Sequence, residues 1–426
     1  MVEKIKVPGS QTVNGTVWVS GAKNAALPLL AASLLSSDGM ELRNVPPLLD
    51  IDTMLDLLTQ LGVICSITKN SPWANSIKLK TDSLYNFTAP YEIVKKMRAS
   101  ILVLGPLLAR LGRCCVSLPG GCAIGVRPID LHLKGLKALG AEIDLKDGYV
   151  YAKAIKGLKG ADFRFPIVTV TGTENIMMAA TLADGVTVLE NVAREPEVVD
   201  LANCLNSMGA KISGQGTDVI EIKGVSNLGG AKYSVIPDRI EAGSYAIAAG
   251  ITEGRVDLIG GNFRNVLQSF IDKMEEIGLI FSDIENGIHV ESSGKLLSTS
   301  VCTSPYPGFP TDLQAQTMSL LCLAEGESEI TENIWENRFM HAAELMRMGA
   351  SISVSGAKAH IKGVKQLTGA SVMATDLRAS FGLITAALSA SGDTTIDRVY
   401  HIDRGYSCLE EKFKGCEITL ERVKGG

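Results

Sequence analysis

One thiol, Cys122, stands in the middle of a glycine-rich run, LPGGCAIGVRP (residues 118–128), with Arg127 five residues after it. Pro119 with Gly120, Gly121 and Gly125 makes this a tight-turning segment. A nearby cation favours the thiolate, the reactive form of cysteine. On residue type alone the thiol also reads as incidental. The other eight cysteines lie mostly in apolar or strand-like runs and read as small core residues. A second chemically able group is a set of cations that stand just before apolar runs: Lys23 in SGAKN (20–24), Arg98 in KKMRAS (95–100), Arg239 in PDRIE (237–241) and Arg378 in TDLRAS (375–380). TGTEN (171–175) and PTDLQ (310–314) occupy the two remaining places of the same kind. The front of a helix offers unpaired N–H groups and the positive end of the dipole, which suit anions. Ser, Thr and Asp are ordinary caps there. Lys and Arg are disfavoured by the dipole, so they point to a ligand or to a partner carboxylate. There is no GxxxxGK[ST], no GxGxxG after a strand, no HExxH and no GxSxG, and the five histidines form no metal spacing. His132, two residues after Asp130 on a predicted helix, reads as a helix-face residue.

These residues must be held by elements, and glycine marks where the elements end. Six nearly all-apolar runs, AALPLLAASLL, ASILVLGPLLARL, NIMMAATLA, SYAIAAGI, AQTMSLLCLA and FGLITAALSA, read as buried helices. They close near Gly39, Gly112, Gly185, Gly254, Gly326 and Gly392, spaced 66–73 residues apart. A second series, Gly62, Gly140, Gly209, Gly278, Gly349 and, more weakly, Gly415, fits helices capped by glycine and followed by a strand. KISGQGTDVIEIKG alternates as a hairpin around Gly216. Two interleaved series with one spacing define a unit of about 70 residues, roughly β-α-β-α-β-β, occurring six times. That period is longer than the usual solenoid repeat, so compact pseudo-symmetric domains of three units each are expected.

Composition sets the remaining bounds. A chain of 426 residues is long enough for two or three domains with full cores. The net charge of −5 offers no global basic surface for nucleic acid, which leaves an anionic small substrate held by a local cluster of Arg and Lys. The start, MVEKIKV, lacks the apolar core of a signal peptide, and the stretch 25–35 is too short to span a bilayer. Nine cysteines without a CxxC pair suggest reduced thiols and a cytoplasmic location, with no membrane partner.

With these pieces in place, the chain resembles the enolpyruvyl transferases, and within them the branch that uses a sugar nucleotide. The motifs that carry the resemblance are SGAKNAALP (20–28), APYE…MRAS (89–100), LPGGCAIGVRPIDLH (118–132), ENVAREPEVVD (190–200), FPTDLQAQ (309–316), ENRFMH (336–341), MATDLRAS (373–380) and HIDRGY (401–406). They cover essentially the whole chain. The resemblance implies an α/β fold of two pseudo-threefold domains, each an inside-out α/β barrel of three β-α-β-α-β-β units. One domain takes residues 1–22 plus 237–426; the other takes 23–236 and carries the cysteine loop.

The implied reaction moves the enolpyruvyl group of phosphoenolpyruvate to the 3′-hydroxyl of UDP-N-acetylglucosamine by addition and elimination, releasing phosphate, as the first committed step of peptidoglycan synthesis. No cofactor or metal is implied. By matching position Cys122 is the proton donor, able to form an adduct with phosphoenolpyruvate and open to the epoxide antibiotic fosfomycin. Asp312 matches the residue that meets the sugar 3′-hydroxyl. Lys23, Asn24, Arg127 and Arg404 match the phosphoenolpyruvate site, and Arg98 lies close to both substrates. The sugar nucleotide is carried over onto Arg98, Arg127, Pro128, Ile129, Asp130, Leu131, Thr169, Val170, Thr171, Asp312 and the backbone of Ile334. Two departures concern the nucleotide: Ile167 stands where other members carry a basic residue, and TVTGTEN replaces a more glycine- and alanine-like segment. Trp335 stands where Phe is common. The shikimate-pathway relative lacks the PGGC loop and the SGAKN motif, and an RNA 3′-phosphate cyclase would need a catalytic histidine that fits no position here. A non-enzymatic ligand-binding paralogue predicts loss of Cys122 or a cation, and none is lost.

Overall fold

The structure, a computed structural model, describes residues 3–82, 84–118 and 129–424. The described residues form two compact units, a terminal one made of residues 3–20 with 237–424 and a central one made of residues 21–118 with 129–236. Each unit has its own apolar core.

Among the described residues there are six four-stranded sheets, all built to one plan. In the clearest case Asp162–Arg164 lies parallel to Val186–Glu190, and Val219–Lys223 runs antiparallel between Val186–Glu190 and Lys211–Ser213. The buried helix Val170–Ala180 joins the parallel pair, and the helix Pro196–Ser207 leads to the hairpin. This is the β-α-β-α-β-β unit expected from the glycine spacing. Three sheets assemble strands from distant parts of the chain. Ala231–Ser234 completes the sheet of Met40–Val45, Asn14–Trp18 that of Arg255–Ile259, and Glu3–Val7 lies between Thr394–Asp397 and Glu421–Lys424.

Within each unit three buried helices meet at the centre and the sheets face outward. In the terminal unit they are Arg239–Ile251, Gln314–Leu321 and Leu377–Ser389, buried along almost every residue. Hydrogen bonds stitch them together: Gln316 Nε2 donates to Ser244 Oγ at 2.9 Å and Ser319 Oγ to the Gly382 carbonyl at 2.8 Å. In the central unit the corresponding helices are Lys23–Ala32, Leu104–Leu111 and Val170–Ala180. Gly105 has no side chain because the backbone of Asn175 lies against it, where a Cβ would collide.

The second glycine series departs from its reading at one place. Gly62, Gly140, Gly209, Gly278 and Gly349 all have positive φ and end helices, but Gly415 keeps a right-handed φ of −64° and Glu417 takes the left-handed turn. At Gly254 the left-handed residue is Glu253, and the glycine is required because a Cβ would strike the Val13 carbonyl. TGTEN also lies differently from the expectation: the helix begins at Val170 behind the cap Thr169, so residues 171–175 form its first turns rather than precede it. Among the described residues no helix is long and apolar enough to cross a membrane.

Candidate active site

Asp312 lies in a short 3-10 turn, Thr311–Leu313, directly before Gln314–Leu321, with Pro310 setting the extended approach. Two arginines hold its carboxylate. Arg338 Nη2 donates to Oδ1 at 2.8 Å, while Arg378 donates to Oδ2 from Nε at 3.2 Å and Nη2 at 3.0 Å. The arginine side chains are only 4% and 3% exposed, while Asp312 keeps 26%. The carboxylate is therefore fixed from behind and presented outward. Arg378 comes from the start of the next buried helix, whose cap Asp376 accepts from the Arg378 and Ala379 N–H groups. Arg338 also donates to Thr311 Oγ1 at 2.9 Å, and Thr311 donates to Glu332. Glu332, nearly fully buried, accepts in addition from Thr303 Oγ1 and from the N–H groups of Ile334 and Trp335. One carboxylate thus ties the Ile334 loop to the Asp312 turn. The Ile334 N–H is used inside the protein.

In the central unit Lys23 opens the helix Lys23–Ala32 and is buried. Its Nζ lies 2.8 Å from Asp50 Oδ2, a partner on the first turn of Leu49–Leu61. The misplaced cation at this helix front is thus met by a carboxylate, as Arg378 is by Asp312. Asn24 is the one exposed residue of that otherwise buried helix. Arg98 begins the 3-10 segment Arg98–Val103. Arg239 lies over the Tyr306 ring in the terminal unit, 5.5 Å from its centroid. Arg404 ends the 3-10 segment Val399–Arg404 and is half-buried.

Of the residues expected to meet the nucleotide, Asp312 and Ile334 lie in the terminal unit and the other described ones in the central unit. Ile129 precedes the helix Asp130–Ala138, Asp130 pairs with Lys134 at 3.1 Å, and Leu131 is partly buried. Thr169 caps Val170–Ala180 by accepting from the Gly172 N–H. Ile167 is 71% exposed and supplies no charge. Cys122, Arg127 and Pro128 lie outside the described residues. Burial pushes the thiols of Cys204, Cys322 and Cys416 up to about 12, so they are inert core residues, whereas Cys302 is exposed.

Several residues of this arrangement escape sequence reasoning. Arg338 and Arg378 sit inside the quoted motifs ENRFMH and TDLRAS, but their shared partner does not show in one dimension. Asp50 gives no sequence signal beyond an acidic first helical turn. His132 is not an exposed helix-face residue: it is 3% exposed and hydrogen-bonded on both sides.

Comparisons with known proteins agree with this geometry. A family model for EPSP synthase (3-phosphoshikimate 1-carboxyvinyltransferase) matches residues 7–413. The UDP-N-acetylglucosamine 1-carboxyvinyltransferase of Dinoroseobacter shibae is 54% identical over 424 residues, 99% of this chain and 100% of that one. The protein of the same name from Magnetococcus marinus is 53% identical over 423 residues, again 99% and 100%. Among solved structures, the enolpyruvyl transferase NikO from Streptomyces tendae superimposes with a TM-score of 0.89 at 21% identity, covering all of both chains. EPSP synthase from Acinetobacter baumannii does so with 0.74 at 19% identity, covering 99% and 100%. Six sheets of one plan, an arginine-clamped aspartate before a buried helix and full-length identity above half together show that the chain belongs to the enolpyruvyl transferase family to which EPSP synthase also belongs.

Proposed function

We propose that this protein transfers the enolpyruvyl group of phosphoenolpyruvate to the 3′-hydroxyl of UDP-N-acetylglucosamine, releasing phosphate, in the cytoplasm, and so commits sugar nucleotide to peptidoglycan. Full-length identity above 50% to relatives bearing that name carries the reading. The buried clamp on Asp312 supports it.

In the addition step the sugar 3′-oxygen bonds to C2 of phosphoenolpyruvate, C3 gains a proton, and the hydroxyl proton leaves. In the elimination step C3 gives up a proton and the C2–O bond to phosphate breaks. Asp312 orients the 3′-hydroxyl and accepts its hydrogen bond; two guanidiniums hold the carboxylate in one plane, so no reorganisation is needed as charge develops. Cys122 delivers the proton to C3 and is the thiol that fosfomycin would alkylate. Lys23, Asn24, Arg127 and Arg404 hold phosphoenolpyruvate, with Arg98 between the substrates. Arg suits carboxylate and phosphate through its planar fork. Ile129, Asp130, Leu131, Thr169, Val170, Thr171 and the Ile334 carbonyl, with Arg98, Arg127 and Pro128, receive the sugar nucleotide.

A phosphate-release assay tests the reading. Phosphoenolpyruvate with UDP-N-acetylglucosamine should release phosphate without added metal or nucleoside triphosphate, and shikimate 3-phosphate should not substitute. Absence of release across pH and salt, or release only with shikimate 3-phosphate, would overturn it.

A further inference from the structure

His132 is buried between two helices of the central unit, and its surroundings fix the hydrogen each ring nitrogen carries. The chain of deduction starts at Asn175. Its Oδ1 accepts from the Gly105 N–H at 2.6 Å, and its Nδ2 donates to the Ile101 carbonyl at 2.9 Å. Backbone groups cannot exchange donor and acceptor roles, so the orientation of this carboxamide is settled. The same Nδ2 lies 3.0 Å from His132 Nδ1, which must therefore accept. A neutral imidazole that accepts at Nδ1 carries its hydrogen on Nε2. Nε2 lies 3.3 Å from Thr171 Oγ1, so the ring donates to the hydroxyl. Burial, with the Arg98 charge beside it, pulls the imidazole pKa down to about 4 and keeps the ring neutral.

Thr171 then has one direction left. One lone pair of its oxygen takes the ring N–H, and its own hydrogen has no hydrogen-bond acceptor among the described residues. The hydroxyl is half-buried, on the second residue of Val170–Ala180, at the front of that helix. We infer that His132 is a positioning residue that makes the Thr171 hydroxyl a dedicated donor to an oxygen of the nucleotide substrate. This rests on the sugar-nucleotide reading above. The relay also supplies a polar contact in the segment where Ile167 supplies none.

Steady-state kinetics of the full-length enzyme tests it, with KM measured separately for each substrate. In His132→Asn the carboxamide can reach Asn175 but not Thr171; in His132→Gln it can reach Thr171. His132→Asn and Thr171→Val should each raise KM for UDP-N-acetylglucosamine roughly fivefold to tenfold, the scale of one hydrogen bond. KM for phosphoenolpyruvate should move less than twofold. The double variant should be no worse than either single one, and Thr171→Ser and His132→Gln should recover most of the loss. Additive effects, equal changes in both KM values, or a lowered melting temperature with KM unmoved would overturn the inference and leave His132 a packing residue. Failure of the wild type to release phosphate with UDP-N-acetylglucosamine would instead defeat the functional reading on which it rests.

Discussion

The two units solve the same electrostatic problem with opposite signs. In the central unit the charge at a helix front is a lysine, Lys23, paired with Asp50. In the terminal unit it is a carboxylate, Asp312, held by two buried arginines. In the first a carboxylate meets a lysine; in the second it meets two guanidiniums and keeps 26% exposure. A lysine can shed its proton when its partner is lost, whereas a guanidinium cannot. The units differ likewise in their buried histidines. His132 is bonded at both nitrogens, while neither nitrogen of His341 has a hydrogen-bond partner among the described residues. The buried imidazole is thus fully partnered in one unit and under-partnered in the other.

Removing the acids tests this contrast most severely. Asp312→Ala leaves two guanidiniums buried together and should cost about 3–5 kcal/mol in urea unfolding. Asp50→Ala should cost less, because Lys23 can neutralise itself; equal losses would break the comparison. Acid should act next. Burial lowers both His132 and His341 from 6.5 to about 4. Below pH 6.5 the unfolded chain takes up protons that the folded chain refuses until about pH 4. Stability should therefore be complete above pH 6.5 and fall toward pH 4, by up to about 3 kcal/mol per histidine. His341→Leu should flatten this decline at little cost near neutral pH. His132→Leu should flatten it too but lose about 1–3 kcal/mol at pH 7, since it strands Asn175 and Thr171. Calorimetric melting across pH separates the two.

The smallest effects come from glycines. Gly224 and Gly363 are equivalent positions of the two units, and an added Cβ would meet the carbonyls of Ala183 and Ala324 respectively. Alanine at either should cost about 1–3 kcal/mol, by similar amounts in both. Gly140 has φ +89° but open space around its Cβ position, so Gly140→Ala should cost only about 1 kcal/mol of backbone strain. A ranking reversed between Gly140 and Gly224 in denaturant titrations would mean that conformation outweighs contact.

Much of the architecture was legible because glycine spacing is a local signal repeated six times. The helix fronts were legible for the same reason. What resisted was pairing. Asp312 meets Arg378 66 residues later, and Asn175 meets Gly105 70 residues earlier, each about one repeat away. The period therefore hints that neighbouring units touch at matching places, but not which side chains do so. Gly415 was misread as a left-handed cap because its spacing matches the series, while the turn falls two residues later at Glu417. The cations at helix fronts were noticed for violating the dipole, yet the remedy, a carboxylate on a neighbouring helix, depends on three-dimensional packing.

The strand Glu3–Val7 sits between Thr394–Asp397 and Glu421–Lys424. During synthesis on the ribosome this makes the first strand of the chain wait for its last. The central unit is closed once Ala231–Ser234 has emerged to pair with Met40–Val45, whereas the earliest residues hold their places unpaired for some four hundred more. At roughly 5–20 residues per second that delay is on the order of 20–80 seconds. The nascent protein should therefore acquire protease resistance in two stages, the central unit before the terminal one.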